Sequence, residues 1–329
     1  MRNFISAIFF IVVLITSISL PGVGQPADST SNEYYSDHSE MLLIRLYTLT
    51  KLNTFTIIRE PQSYVLAPNG QTNIGIGFNY KSFGLGVSFG LPKSKGSDEI
   101  YGTTSRFDIQ GSVYSKNFGG DAFVQGYKGY YNSNPNDFVD WQKEEFPQLP
   151  DMQVFTIGLT AFYIQNGENY SFRAANIRNQ IQNKSAGSFT YGVFGNYDAS
   201  TTDNGYIPSE LADSTNTSFD LKAFEALSVG VSLGYFYTLV KNRFFVNMGV
   251  VPGFGFRRVH LKDLMDASEV ENTPAGQVLV RTSMGYEHKS FYLGFTGSVN
   301  FRNFKYKEFE FDLGTEQFRF ILGKRFLVL

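Results

Sequence analysis

Residues 72–91 read TNIGIGFNYKSFGLGVSFGL. Thr72, Ile74, Ile76, Phe78 and Tyr80 share one parity; Asn73, Gly75, Gly77 and Asn79 share the other. Across a Lys81-Ser82 turn, Phe83, Leu85, Val87, Phe89 and Leu91 oppose Gly84, Gly86, Ser88 and Gly90. Alternation of period two on both sides of a two-residue turn marks a β-hairpin. The bulky face is apolar throughout, and the other is small or polar with almost no charge. A soluble sandwich puts large residues inside and charges outside. This pattern suits instead a wall between lipid and a narrow lumen.

The same alternation recurs along the chain. Leu42, Ile44, Leu46, Leu52 and Ile58 lie opposite Arg45, Lys51 and Asn53, and 43–58 reads as one long strand. Leu227, Val229, Val231, Leu233, Tyr235 and Tyr237 alternate with Ser228, Gly230, Ser232 and Gly234. Phe291, Leu293, Phe295, Val299 and Phe301 alternate with Gly294, Thr296, Ser298, Asn300 and Arg302. Turns at 81–82, 116–120, 240–242 and 288–289 are short. The intervening connections, at 60–71, 92–102, 132–151, 198–225, 257–275 and 304–315, read as long polar loops. A short helix is expected around Phe138–Phe146, and the segment 165–186 is irregular, with a helical stretch near 175–183.

Short turns at one end and long loops at the other describe an outer-membrane barrel. Backbone groups in hydrocarbon must be paired, so strands survive there only in a closed ring. The fold class expected is all-β, a transmembrane antiparallel up-and-down β-barrel of about twelve strands, with ten or fourteen as alternatives. It occupies residues 41–329, behind a signal peptide at 1–25 and a periplasmic lead at 26–40. Arg2, the apolar run Phe4–Leu20 and the small residues Gly22-Val23-Gly24 carry the signal.

Composition narrows the chemistry. Phe (33), Tyr (20) and Gly (32) are abundant, which suits aromatic girdles and close strands, and a net charge of −2 leaves no basic footprint for nucleic acid. Cysteine is absent, which excludes disulfides, thiolate metal sites, a cysteine nucleophile and a lipid anchor on cysteine.

Several stretches resemble a known family. They are Arg45-Leu46-Tyr47 with Lys51 and Asn53, Pro68-Asn69, the glycine-rich hairpin, Gln125-Gly126-Tyr127-Lys128-Gly129-Tyr130-Tyr131, and Lys184-Ser185-Ala186-Gly187-Ser188-Phe189. Together they resemble the Bacteroidetes outer-membrane barrel family catalogued as domain of unknown function 4421. That resemblance implies fold and location, and brings no activity or catalytic residues. The terminal Gly323, Phe326 and Val328 also resemble the C-terminal signal by which assembly machinery recognises such barrels.

The candidate site is the lumen. Arg45, Lys51, Asp108, Arg281, Glu287, Arg302, Arg319 and Arg325 fall on its face, where rings of charge tune a pore or pair with one another as a plug. Tyr127, Tyr130 and Tyr131 are expected at the outer rim. His260, with Asp263 and Asp266, is the loop histidine placed for lipid hydrolysis, but no serine pairs with it and no nucleophile elbow appears. Asp137, Asp140, Glu144, Glu145 and Asp151 have the chemistry for Ca²⁺ but fit no loop motif.

The reading is therefore a monomeric barrel of the cell outer membrane without catalytic activity, cofactor or metal, binding or passing a small solute or lipid through a narrow or plugged lumen. A lipid-modifying enzyme and a surface scaffold acting through long loops are the alternatives. The expected partners are outer-membrane lipid, lipopolysaccharide and the barrel-assembly machinery.

Overall fold

The computed structural model describes residues 32–327 except 71, 82, 213–219, 289 and 308. The expected signal peptide and the first part of the lead lie outside the described residues. The strands in chain order are β1 (Tyr35–Asp37), β2 (Met41–Arg59), β3 (Gln62–Ala67), β4 (Thr72–Tyr80), β5 (Phe83–Gly90), β6 (Ser105–Tyr114), β7 (Phe118–Asn132), β8 (Gln148–Ile164), β9 (Gln180–Gln182) and β10 (Ala186–Thr201). They continue with β11 (Leu221–Lys241), β12 (Phe244–Asp263), β13 (Ser268–Glu287), β14 (Phe291–Tyr306) and β15 (Phe309–Leu327).

Every pairing is antiparallel, and the ladder closes on itself where β15 pairs β2 from Glu310↔Ile58 to Leu327↔Met41. The continuous ring has ten strands rather than the expected twelve: β2, β3, β7, β8 and β10 to β15. The hairpin β4–β5 branches from the lower half of β2, and β6 pairs β7 outside that circuit. The link that diverts the ring is β3, in a stretch that reads as loop; it pairs β2 at Phe55–Arg59 and touches β7 at Leu66↔Asn132 and Ala67↔Tyr131.

The alternating rows face as their chemistry requires. Ile74, Ile76, Phe78 and the row Leu227 to Leu233 point outward, with Ile76 54% and Val231 63% exposed. Inward positions carry glycine, serine, asparagine and the charged side chains. At Gly249 a Cβ would run into the Phe236 ring on the neighbouring strand, so the inner face accepts large rings only beside positions with no side chain.

The strands are longer than a membrane crossing requires. β11 has 21 residues and β12 and β13 have 20 each, against about 9–11 needed to cross hydrocarbon. The polar stretch 257–275, expected as a loop, is mostly paired strand, with only the tip between Asp263 and Ser268 outside it. The stretch 304–315 likewise forms β14 and β15 pairs. Their ladders stay intact through these polar stretches. No helix forms at Phe138–Phe146; a single 3-10 turn, Pro135–Asp137, occupies that connection.

At the outer end an apolar core fills the ring. Phe55 of β2 stacks on Phe224 of β11, centroids 5.6 Å apart, and on Phe311 at 5.9 Å. β2 and β11 are opposite walls, with four ring strands between them either way. Their rings touch across the axis, so the lumen is closed at this level. Tyr206 from the connection after β10 packs 5.3 Å from Phe55.

At the short-turn end, residues 165–185 fold into the barrel. Ser171 caps the helix Phe172–Asn176 by accepting from Ala174 N at 2.9 Å. Arg178, at φ 71°, ends the turn, and β9 then pairs β1. Phe172 is buried 5.0 Å from Phe236, and Asn247 donates to the Tyr170 hydroxyl at 2.9 Å. This accounts for the one long connection at an end of tight turns: it is an inserted plug.

Candidate binding chamber in the barrel lumen

The plug is laced to the turns around it. Asn179 donates to Lys81 O at 3.2 Å, Lys116 pairs with Glu168, and Val240 N donates to Ser185 Oγ at 2.9 Å. Arg325 donates to Arg178 O at 2.7 Å and to His288 O at 2.9 Å. Glu287 accepts from Arg325 at 2.8 Å and lies 3.8 Å from Arg178, whose guanidinium stacks 3.4 Å over Phe245. Two cations around one buried carboxylate thus clamp the plug to β13 and β15. Arg178 escaped the sequence reading because its segment has no periodicity.

Above the plug, further inward charged side chains form distinct groups. Arg281 of β13 reaches across to Asp121 of β7 at 2.7 Å, and both bond to the Tyr114 hydroxyl, which donates to Asp121 and accepts from Arg281. Lys51 meets Asp108 at 2.6 Å, and Gln125 donates to the same carboxylate at 2.9 Å. Higher up, Arg302 pairs with Asp198 at 3.0 Å, and Thr156 donates to it at 3.0 Å. Asp121 and Asp198 were not singled out in the sequence. Asp198 lies on the inward parity of β10, just past the point where that strand is expected to end.

Arg45 and Arg319 differ from the rest. Among the described residues neither meets a carboxylate. Gln317, with its amide oxygen turned toward Arg319, accepts from that guanidinium at 2.6 Å. Both arginines border a cavity of about 410 Å³ with Tyr47, Asn79, Arg281 and Gln317. Asn79 is 9% exposed, and its Oδ1 finds no partner among the described residues. A polar chamber bordered by two guanidiniums with no carboxylate in salt-bridge contact therefore sits between the aromatic core and the plug.

The expected rim aromatics divide. Tyr127 and Tyr130 are buried inside the outer core rather than ringing the rim, while Tyr131 is half-buried against Tyr101 and Phe146. Strict alternation would turn Tyr130 outward. A bulge between Lys128 and Tyr130, at Gly129 with φ 89°, brings it in. His260 stands exposed on β12 opposite Glu225 and Val270, and no hydroxyl bonds to it among the described residues. No cluster of three or more His, Asp or Glu suited to a metal occurs among the described residues.

Fold and chamber define the class: an antiparallel β-barrel with an apolar outer belt, a closed lumen and an internal polar chamber. The family model described as Domain of unknown function (DUF4421) matches residues 26–326, and the chain belongs to that family. No curated protein matches the sequence. Among solved structures, the chain is similar to the outer membrane protease OmpT from Escherichia coli, at 9% identity and TM-score 0.40, covering 88% of this chain and 98% of that one. It is also similar to the Pseudomonas putida toluene transporter TodX, at 7% identity and TM-score 0.26, covering 89% and 94%. The translocator domain of the Neisseria meningitidis autotransporter NalP matches at 7% identity and TM-score 0.32, covering 88% and 89%.

Proposed function

We propose that the protein resides in the bacterial outer membrane as a non-catalytic barrel that binds a small solute or lipid in its internal chamber rather than conducting through an open pore. One observation carries this reading: opposite walls meet in the Phe55–Phe224 core, the plug fills the other end, and a 410 Å³ polar space lies between. That volume falls in the usual range of small-ligand sites, about 300–1,000 Å³.

Location is supported by the outward rows, since a band of Ile, Leu, Val and Phe around a closed ring is stable only against hydrocarbon. At chamber depth, β4, β5 and β6 contribute lining residues beside the ten-strand ring. The exposed His260, with no bonded hydroxyl, gives no support to lipid hydrolysis.

The test is electrical. Purified protein fused into planar bilayers is expected to remain silent under applied voltage. A stable, ohmic conductance from the unmodified chain would overturn the closed-chamber reading.

A further inference from the structure

The chamber has a side entrance. Among the described residues β5 pairs β4 and β6 pairs β7, but β5 and β6 form no ladder with each other. Two strand edges therefore face one another unpaired. Leu85 and Gly86 of β5 and Gln110, Gly111 and Ser112 of β6 all border the chamber. Leu85 belongs to the outward row and is 50% exposed, so the cavity that reaches Arg45 also reaches the lipid-facing surface. Gly111 shares the outward parity of Phe107, Ile109 and Val113, and a Cβ there would meet nothing within 4 Å. Unpaired backbone at membrane depth is tolerated where it lines a polar cavity, and this seam does.

Charge selects the ligand. Arg45, Lys51, Arg281 and Arg319 share this level with two carboxylates, Asp108 and Asp121, which are already committed to Lys51 and Arg281. Arg45 Nε is buried without a hydrogen-bond partner among the described residues. Buried cations need an anion. Both axial routes are closed, while the seam opens between the outward side chains Leu85, Val87, Phe107 and Ile109, all about half exposed.

We infer that the chamber takes the anionic headgroup of a single-chain amphiphile, a carboxylate or phosphate held by Arg45 and Arg319, entering sideways through the β5–β6 seam with its alkyl chain left among those apolar residues. This rests on the closed-chamber reading above and names its ligand class and route.

The probe is laurate, titrated calorimetrically into the full chain in neutral-detergent micelles, with dodecanol and inorganic phosphate as separate arms. Unmodified protein is expected to bind laurate saturably, and dodecanol and phosphate far more weakly. The variant R45Q/R319Q, confirmed folded by heat-modifiable migration, should lose about tenfold or more in affinity. G111W, whose ring would lie on the outward face beside the seam, should cover its outer mouth and weaken laurate binding while leaving both arginines intact. No laurate binding, unchanged binding in R45Q/R319Q, phosphate bound as tightly as laurate, or an indifferent G111W would each overturn the inference. All of these are separable from failure of the parent reading, which shows itself as conductance.

Discussion

Arg302 of β14 donates to Asp198 of β10 at 3.0 Å, with both side chains only 1% exposed and three strands of the ring between them. Arg257 shares the neighbourhood, donating to Ser228 Oγ at 2.7 Å and to Asn303 O. Such a pair does little to raise stability above that of an apolar filling, but losing one member strands a buried charge. Asp198→Asn is expected to destabilise the barrel by about 3–5 kcal/mol, and the double variant D198N/R302M to recover most of that loss. Urea unfolding in lipid vesicles reads both. Equal stability of D198N and the native chain would mean that the pair is hydrated.

The outward row of β11 should behave as a membrane face. Val231→Arg, at a 63% exposed position among Leu227, Val229 and Leu233, is expected to cost about 2–4 kcal/mol in vesicles. Val270→Arg, on the strand extension beside the outer hairpin tip, is also exposed but should be nearly neutral. Comparable losses at the two sites would show that the apolar belt is misplaced.

At the tip between β12 and β13, Asp266 bonds to the ammonium groups of Lys222 at 2.6 Å and Lys262 at 2.8 Å. These bonds, Lys222's first, hold its carboxyl at about 2, below its ordinary 3.8. A depressed carboxylate favours the folded hairpin above its ordinary value, and that contribution is lost as pH falls toward 2. Carbon-detected NMR titration should follow Asp266 to that low midpoint in the native chain. K222M should move the midpoint back toward 3.8.

Much of the wall was legible in the chain. A strand has a strict period of two, so Ile74–Phe78 and Leu227–Leu233 had to share a face, and hydrocarbon is the one solvent that tolerates so many unbroken apolar rows beside a glycine-rich reverse. The same parity put all eight candidate charges inside. It did not bound the strands, because polarity marks where water begins and not where hydrogen bonding stops. His260 and Asp263 therefore read as loop although β12 runs through both.

The sequence by itself determined which side chains face outward and which meet the lumen, since that depends only on local backbone geometry. Which inward groups meet one another was decided by ring closure: it brought Phe55 to Phe224, Asp121 to Arg281 and Asp198 to Arg302 across long sequence separations. One left-handed glycine, Gly129, reversed the parity that would have sent Tyr130 outward. The plug, the seam and the two arginines without carboxylates are likewise products of packing, because a chain read in one dimension carries no record of what stands opposite.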